Sequence, residues 1–194
     1  AEIDRMLQQA VESGDIPGVV AIVANKDHVL YHQAFGKMDV ANDLAMGKDS
    51  IFNIASMTKP VTSVAVMMLH EEGKLGLDDP ISRYMPRMKY VEVIDSFNEN
   101  DGTYSTRDTD RQVTIRHLLA HTSGLGYNFS NRVLSSLEQE TGLTQPELPL
   151  LHQPGERWTY GMGTRVLGEL VELISQQTLP RLYKERIFDP LGMH

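Results

Sequence analysis

Val19-Val20-Ala21-Ile22-Val23-Ala24 is a β-branched run too short for a typical helix, and Val29-Leu30-Tyr31-His32-Gln33-Ala34-Phe35 resumes after the turn chemistry of Asn25-Lys26-Asp27. The pair predicts a β-hairpin with at least one buried face. Behind it, helical patterns run almost to the end of the chain. A two-stranded hairpin alone is marginal in water at best, so other strands or packed helices must complete the sheet.

The helical signals are spaced along the rest of the sequence. Ile3, Met6, Leu7, Ala10 and Val11 recur at helical spacing, and Ser13-Gly14 with Pro17-Gly18 ends that pattern. A long apolar helix is expected over 57–72, stopping at Gly73, and a short one over 81–85, closed by Pro86. Further helices are expected over 115–120, 130–140, 164–177 and 179–188. Residues 95–112 are the most polar stretch and predict an exposed loop. The reading divides the chain into residues 1–55, a helix and hairpin, and residues 56–194, mostly helical.

Composition narrows the function. With 194 residues, 41% of them hydrophobic, the chain can bury a core. A net charge of −8 with no compensating Lys/Arg run argues against a nucleic-acid partner. The absence of cysteine excludes disulfides, a thiolate nucleophile and Cys-ligated zinc. No apolar run approaches the roughly 18 residues that span a bilayer, and Ala1-Glu2-Ile3-Asp4 lacks the basic then apolar order of a signal peptide. Since the chain starts with Ala, the compartment stays open among cytoplasm, periplasm and exterior.

Ser56-Met57-Thr58-Lys59 is a Ser-x-x-Lys tetrad at the start of the long helix. Twelve serines and seven lysines give roughly 0.4 such tetrads by chance, so position matters more than pattern. On a helix, residues i and i+3 share a face, which sets the amine beside the hydroxyl. The field at a helix N-terminus disfavours a cation, so the Lys59 pKa is expected to fall, and it favours an oxyanion; both would help activate a serine. The competing reading is a serine N-cap beside a snorkelling lysine.

Tyr160 lies in Trp158-Thr159-Tyr160-Gly161-Met162-Gly163-Thr164, a glycine-punctuated loop before an amphipathic helix. A nearby cation would make such a tyrosine an acid/base. A half-buried aromatic packed beside Trp158 is the competing reading. His117 and His121 have the i, i+4 spacing of a zinc pair but no intervening Glu in the right place, and are read as structural histidines that satisfy local backbone groups. No cofactor or metal is expected. Gly-x-Ser-x-Gly is absent.

Together these residues resemble the serine β-lactamase and penicillin-binding-protein superfamily, in its class C branch with the family VIII carboxylesterases. The matching text is Ile51-Phe52-Asn53-Ile54-Ala55-Ser56-Met57-Thr58-Lys59-Pro60, Gly73-Lys74-Leu75 with Leu77-Asp78-Asp79-Pro80, and Thr114-Ile115-Arg116-His117-Leu118-Leu119-Ala120-His121-Thr122-Ser123-Gly124-Leu125. Trp158-Thr159-Tyr160 and Arg186-Ile187-Phe188-Asp189-Pro190-Leu191-Gly192-Met193 complete the ordered series. The resemblance implies an α+β fold, β-lactamase/transpeptidase-like, with an antiparallel sheet flanked by helices and an all-helical region. It implies Ser56 as nucleophile, Lys59 as proton-transfer partner and Tyr160 as base and later acid.

Two positions depart from the family pattern. Met162 stands at the third place of Tyr-x-Asn, so the amide that would contact a substrate side chain is missing. The Lys-Thr-Gly or His-Gly-Gly strand is also missing, which implies an N-terminal portion with an incomplete sheet. Loss of one oxyanion donor costs roughly 10²–10³ in rate. The expected function is a serine hydrolase, a carboxylesterase on small acyl esters, with a small-molecule ester or β-lactam as its partner. The alternatives are a β-lactamase or D-Ala-D-Ala carboxypeptidase, and a catalytically inert scaffold or peptidoglycan-binding relative. An open sheet edge would favour a homodimer.

Overall fold

Asp4 and Glu2 place negative charge in the first turn of α1 (Glu2–Glu12), where the helix dipole favours it, and Gly14 at φ +79° takes the left-handed turn that ends the helix. The computed structural model describes residues 2–193, and the chain forms two units, one ending at Ile54 and one beginning at Ala55. In the first unit β1 (Gly18–Ala24), β2 (Val29–Asp39) and the short β3 (Leu44–Ala45) form an antiparallel sheet in sequence order. The register runs from Gly18 opposite Gly36 to Ala24 opposite Val29. Asn25 makes the turn: its side-chain oxygen accepts from the amides of Asp27 (2.9 Å) and His28 (2.7 Å).

The expected buried face is only partly formed. Helix α1 runs beside β2, where Tyr31 Oη donates to Asp4 Oδ1 at 2.7 Å and the Val11 side chain abuts Gly36. The hairpin tip lies beyond that cover. Ile22, Val23, Val29 and Leu30 there are 46–63% exposed.

The second unit is built on two helices whose apolar residues recur on one face. α2 (Thr58–Glu71) buries Thr62, Ala65, Val66 and Leu69, and α5 (Gly163–Ser175) buries Val166, Leu167, Leu170 and Val171. Ile115 and Leu118 of α3 (Ile115–Leu119) and Leu182 of α6 (Leu179–Tyr183) fill the same core. Thr114 opens α3 with a reciprocal cap: its hydroxyl accepts from the His117 amide, and His117 Nδ1 accepts from the Thr114 amide, both at 3.2 Å. α4 (Arg132–Thr141) adds a smaller cluster, Leu134 and Leu137 with Leu148. No helix among the described residues is long and apolar enough to cross a membrane.

One expectation fails in part. Within 95–112, β4 (Glu92–Phe97) and β5 (Tyr104–Asp108) form a second hairpin outside the first sheet, and only 98–103 and 109–112 lie outside the strands. Its cross-strand contacts are largely polar, with Ser96 and Ser105 hydroxyls 2.7 Å apart and an Arg107–Asp95 ion pair at 3.2 Å across the strands. Val93 alone among these strand residues is buried, and the backbone next to it pairs with Leu150. Apolar alternation is therefore absent, and sequence patterning reads the segment as loop.

Removing a fully buried core side chain should be costly. Leu170→Ala should lower stability by about 2–5 kcal/mol in denaturant unfolding, whereas Leu173→Ala, on the same helix but 52% exposed, should stay within about 0.5 kcal/mol. Equal losses would contradict the α2–α5 core.

Candidate active site

The long helix begins later than the sequence suggests. Residues Ala55–Met57 form a 3-10 turn, α2 starts at Thr58, and its N-cap Met57 makes no side-chain cap. The Ser56 hydroxyl is therefore not spent as an N-cap. Instead Lys59, one turn on, donates from Nζ to Ser56 Oγ at 2.9 Å. Ala55, just before the serine, sits at φ +42°, a left-handed conformation that costs a residue with a Cβ on the order of 1 kcal/mol or more.

Tyr160 closes the group from the loop before α5. Its phenol hydrogen-bonds with both Lys59 and Ser56, and these contacts hold its pKa below the ordinary tyrosine value, with the Lys59 contact foremost. The Lys59 ammonium lies 4.7 Å from the centre of the Tyr160 ring and 5.7 Å from that of Tyr127. The structure thus brings Ser56, Lys59 and Tyr160 to one point, beside a cleft of about 500 Å³ that Ser56, Lys59, Tyr127 and Thr164 help to line.

The expected direction of the lysine shift is reversed. Burial pulls the Lys59 pKa down and is the largest single influence, but hydrogen bonds with Tyr160 and Tyr127 and their charge carry it above the ordinary value. Lys59 keeps its proton, and the acidified group is the phenol. A helix-dipole argument considers only the field at the N-terminus of α2 and misses two phenols brought in from distant segments.

Two further residues stand at the centre without a motif of their own. Tyr127 follows Gly124-Leu125-Gly126 and hydrogen-bonds with Lys59, and its ring centre is 5.7 Å from that of Tyr160. Its only sequence signal is its place two residues beyond the recognised block ending at Leu125. The i, i+4 spacing predicts His121 on a helical face shared with His117, but α3 ends at Leu119 and His121 has left the helix at φ +56°. It does satisfy a backbone group, accepting from the Gly161 amide, and its ring centre lies 4.8 Å from that of Tyr160. Met162 lies on the other side of the loop, lining a second cavity of about 290 Å³ with Phe129, Leu134 and Leu148.

The family model described as Beta-lactamase matches residues 3–194. The chain belongs to the beta-lactamase family. Protein Rv1367c of Mycobacterium tuberculosis is 38% identical over 96% of the chain and 49% of its own length. Esterase EstB of Burkholderia gladioli is 33% identical over 100% of the chain and 50% of its own length. Among solved structures, the LovD6 mutant of simvastatin synthase from Aspergillus terreus superposes with a TM-score of 0.89 at 31% identity, covering 100% of this chain and 50% of that one. The chain spans about half the length of the curated relatives it matches. The fold is the β-lactamase/transpeptidase fold, in an esterase-like branch of the superfamily whose members are serine hydrolases and acyltransferases.

The electrostatics of this beta-lactamase-family site make a direct prediction. The Tyr160 phenol should titrate below the ordinary tyrosine value, seen as the ultraviolet tyrosinate signal lost in Tyr160→Phe. Lys59→Met, which removes the cation, should move that titration upward. An unmoved titration would show that Lys59 does not acidify the phenol.

Proposed function

We propose that the chain carries the nucleophile Ser56, the acid/base Tyr160 and the supporting cation Lys59 of a serine carboxylesterase acting on small acyl esters, through an acyl-enzyme on Ser56. The reading rests on one observation: an ammonium 2.9 Å from the Ser56 hydroxyl, with a phenol of lowered pKa hydrogen-bonded to both.

In this mechanism the Tyr160 phenolate takes the Ser56 proton as Oγ attacks the ester carbonyl carbon. The carbonyl π electrons move to oxygen, giving a tetrahedral oxyanion near the N-terminus of α2. Collapse re-forms the carbonyl and expels the alcohol, which takes the proton back from Tyr160. Water then attacks the acyl-enzyme, Tyr160 accepts its proton, and the acid leaves as Ser56 is reprotonated. Lys59 stays an ammonium throughout and favours the phenolate over the neutral phenol.

Met162 supports an ester over a β-lactam substrate, because a thioether offers a substrate amide no strong hydrogen bond. Acyl transfer is the second reading, favoured by the similarity to the simvastatin synthase; an acceptor alcohol would then replace water in the second half-reaction.

A fluorophosphonate should add one adduct to the whole protein by intact mass, and Ser56→Ala should abolish it. Hydrolysis of a p-nitrophenyl short-chain ester should exceed that of a chromogenic cephalosporin, and Ser56→Ala should lower it by about 10³-fold or more. An adduct that survives Ser56→Ala would remove Ser56 as nucleophile, and faster cephalosporin turnover would reverse the substrate assignment.

A further inference from the structure

A proton-transfer group has to keep its position relative to Ser56 to within about 0.5 Å, yet Tyr160 sits on an irregular loop. The contacts that fix that loop converge on a single residue. The His121 carbonyl accepts from the Thr159 amide at 2.8 Å, and its imidazole Nδ1 accepts from the Gly161 amide at 3.5 Å. The two peptide N–H groups flanking Tyr160 in sequence are thus both bonded to His121. The same ring leans on the Tyr160 ring at 4.8 Å with a 45° tilt and meets Trp158 edge-on at 6.1 Å.

We propose that His121 is a positioning residue for Tyr160, a neutral imidazole that clamps the loop and sets the phenol's distance to Ser56 and Lys59. The proposal rests on Tyr160 serving as the base in the mechanism above.

Three further observations support it. His121 adopts φ +56°, the left-handed region that histidine tolerates better than most residues, and this conformation accompanies bonding by both its carbonyl and its ring. Gly161 lies so close to the 121–126 segment that an added Cβ would stand 2.2 Å from the Leu125 carbonyl oxygen, so the two segments are pressed together where the clamp acts. The remaining side-chain contact on Thr159 is also fixed. His152 holds it, with Nδ1 2.9 Å from the Gln153 carbonyl oxygen and Nε2 2.9 Å from the Thr159 hydroxyl.

The clamp requires an unprotonated Nδ1, so the neutral ring carries its proton on Nε2. The groups facing it are the Lys59 ammonium from α2 and the Tyr160 phenol from its own loop. Burial first, and the Lys59 charge second, hold the His121 pKa below the ordinary histidine value and keep the ring neutral. A protonated ring would turn an N–H towards the Gly161 N–H and set a second cation beside Lys59.

The test uses the whole protein and a p-nitrophenyl ester, with folding checked by thermal denaturation. Tyr160→Phe comes first: if it leaves kcat unchanged, the proposed function fails, and this proposal with it. If Tyr160→Phe is impaired, His121→Leu should lower kcat about 10- to 100-fold with KM within about 2-fold, because the binding cleft is untouched while the base is displaced. His121→Asn, which keeps a side-chain acceptor and tolerates positive φ, should stay within about 5-fold of the parent. A second readout does not depend on His121→Leu folding. On acidification through the histidine range, acylation by the fluorophosphonate should steepen from slope one to slope two in the parent and remain at slope one in His121→Asn. Unchanged kcat in folded His121→Leu, an equal loss in His121→Asn, or identical acid limbs in parent and His121→Asn would overturn the proposal.

Discussion

An ammonium drawn partly out of water gathers acceptors around it: Lys59 Nζ donates to Ser56 Oγ at 2.9 Å and lies against Tyr160 and Tyr127, whose hydroxyls hold its pKa up. Those acceptors come from the turn before α2, the loop before α5 and the segment after α3. One desolvated cation therefore requires three parts of the second unit to meet, and the α2–α5 core brings the helix carrying it against the helix that follows the Tyr160 loop. A phenol that accepts from an ammonium loses part of its hold on its own proton. Half-covered among polar partners, the lysine thus keeps its own proton and lowers the pKa of the neighbouring phenol.

Legibility in the sequence followed interaction range. Ser56 and Lys59 were readable because i, i+3 neighbours on a turn meet whatever the rest of the chain does, and the long helices were readable because burial on one face leaves a 3.6-residue period. Tyr160 could be named from its loop and from resemblance, but its distance to Ser56 depends on packing between segments about a hundred residues apart. Tyr127 and His121 have no local pattern, since their roles come from contacts across that packing. The β4–β5 hairpin was missed for the opposite reason: its stability lies in backbone pairing and polar cross-strand contacts, which leave no hydrophobic alternation to read.

Local rules also failed where tertiary partners outweigh them. A helix-end field predicts an acidified lysine, yet the hydrogen bonds and charge of two phenols carry the Lys59 pKa upward even against the pull of burial. A serine before a helix predicts an N-cap, yet the helix starts two residues later and the hydroxyl faces the ammonium.

The backbone strain has the same origin. Ala55 and His121, neither of them glycine, both lie in the left-handed region, one next to the Ser56 hydroxyl and the other against the Tyr160 ring. Each conformation costs on the order of 1 kcal/mol or more and persists only where surrounding contacts over-determine it. At Ala55 the strained residue leads directly into the 3-10 turn that carries Ser56 to the lysine. At His121 it accompanies the bonds to both amides flanking Tyr160. A relaxed backbone at either place would re-aim the segment that carries Ser56 or Tyr160, so two of the four left-handed non-glycine residues among the described residues lie on the approaches to one hydrogen-bonded cation.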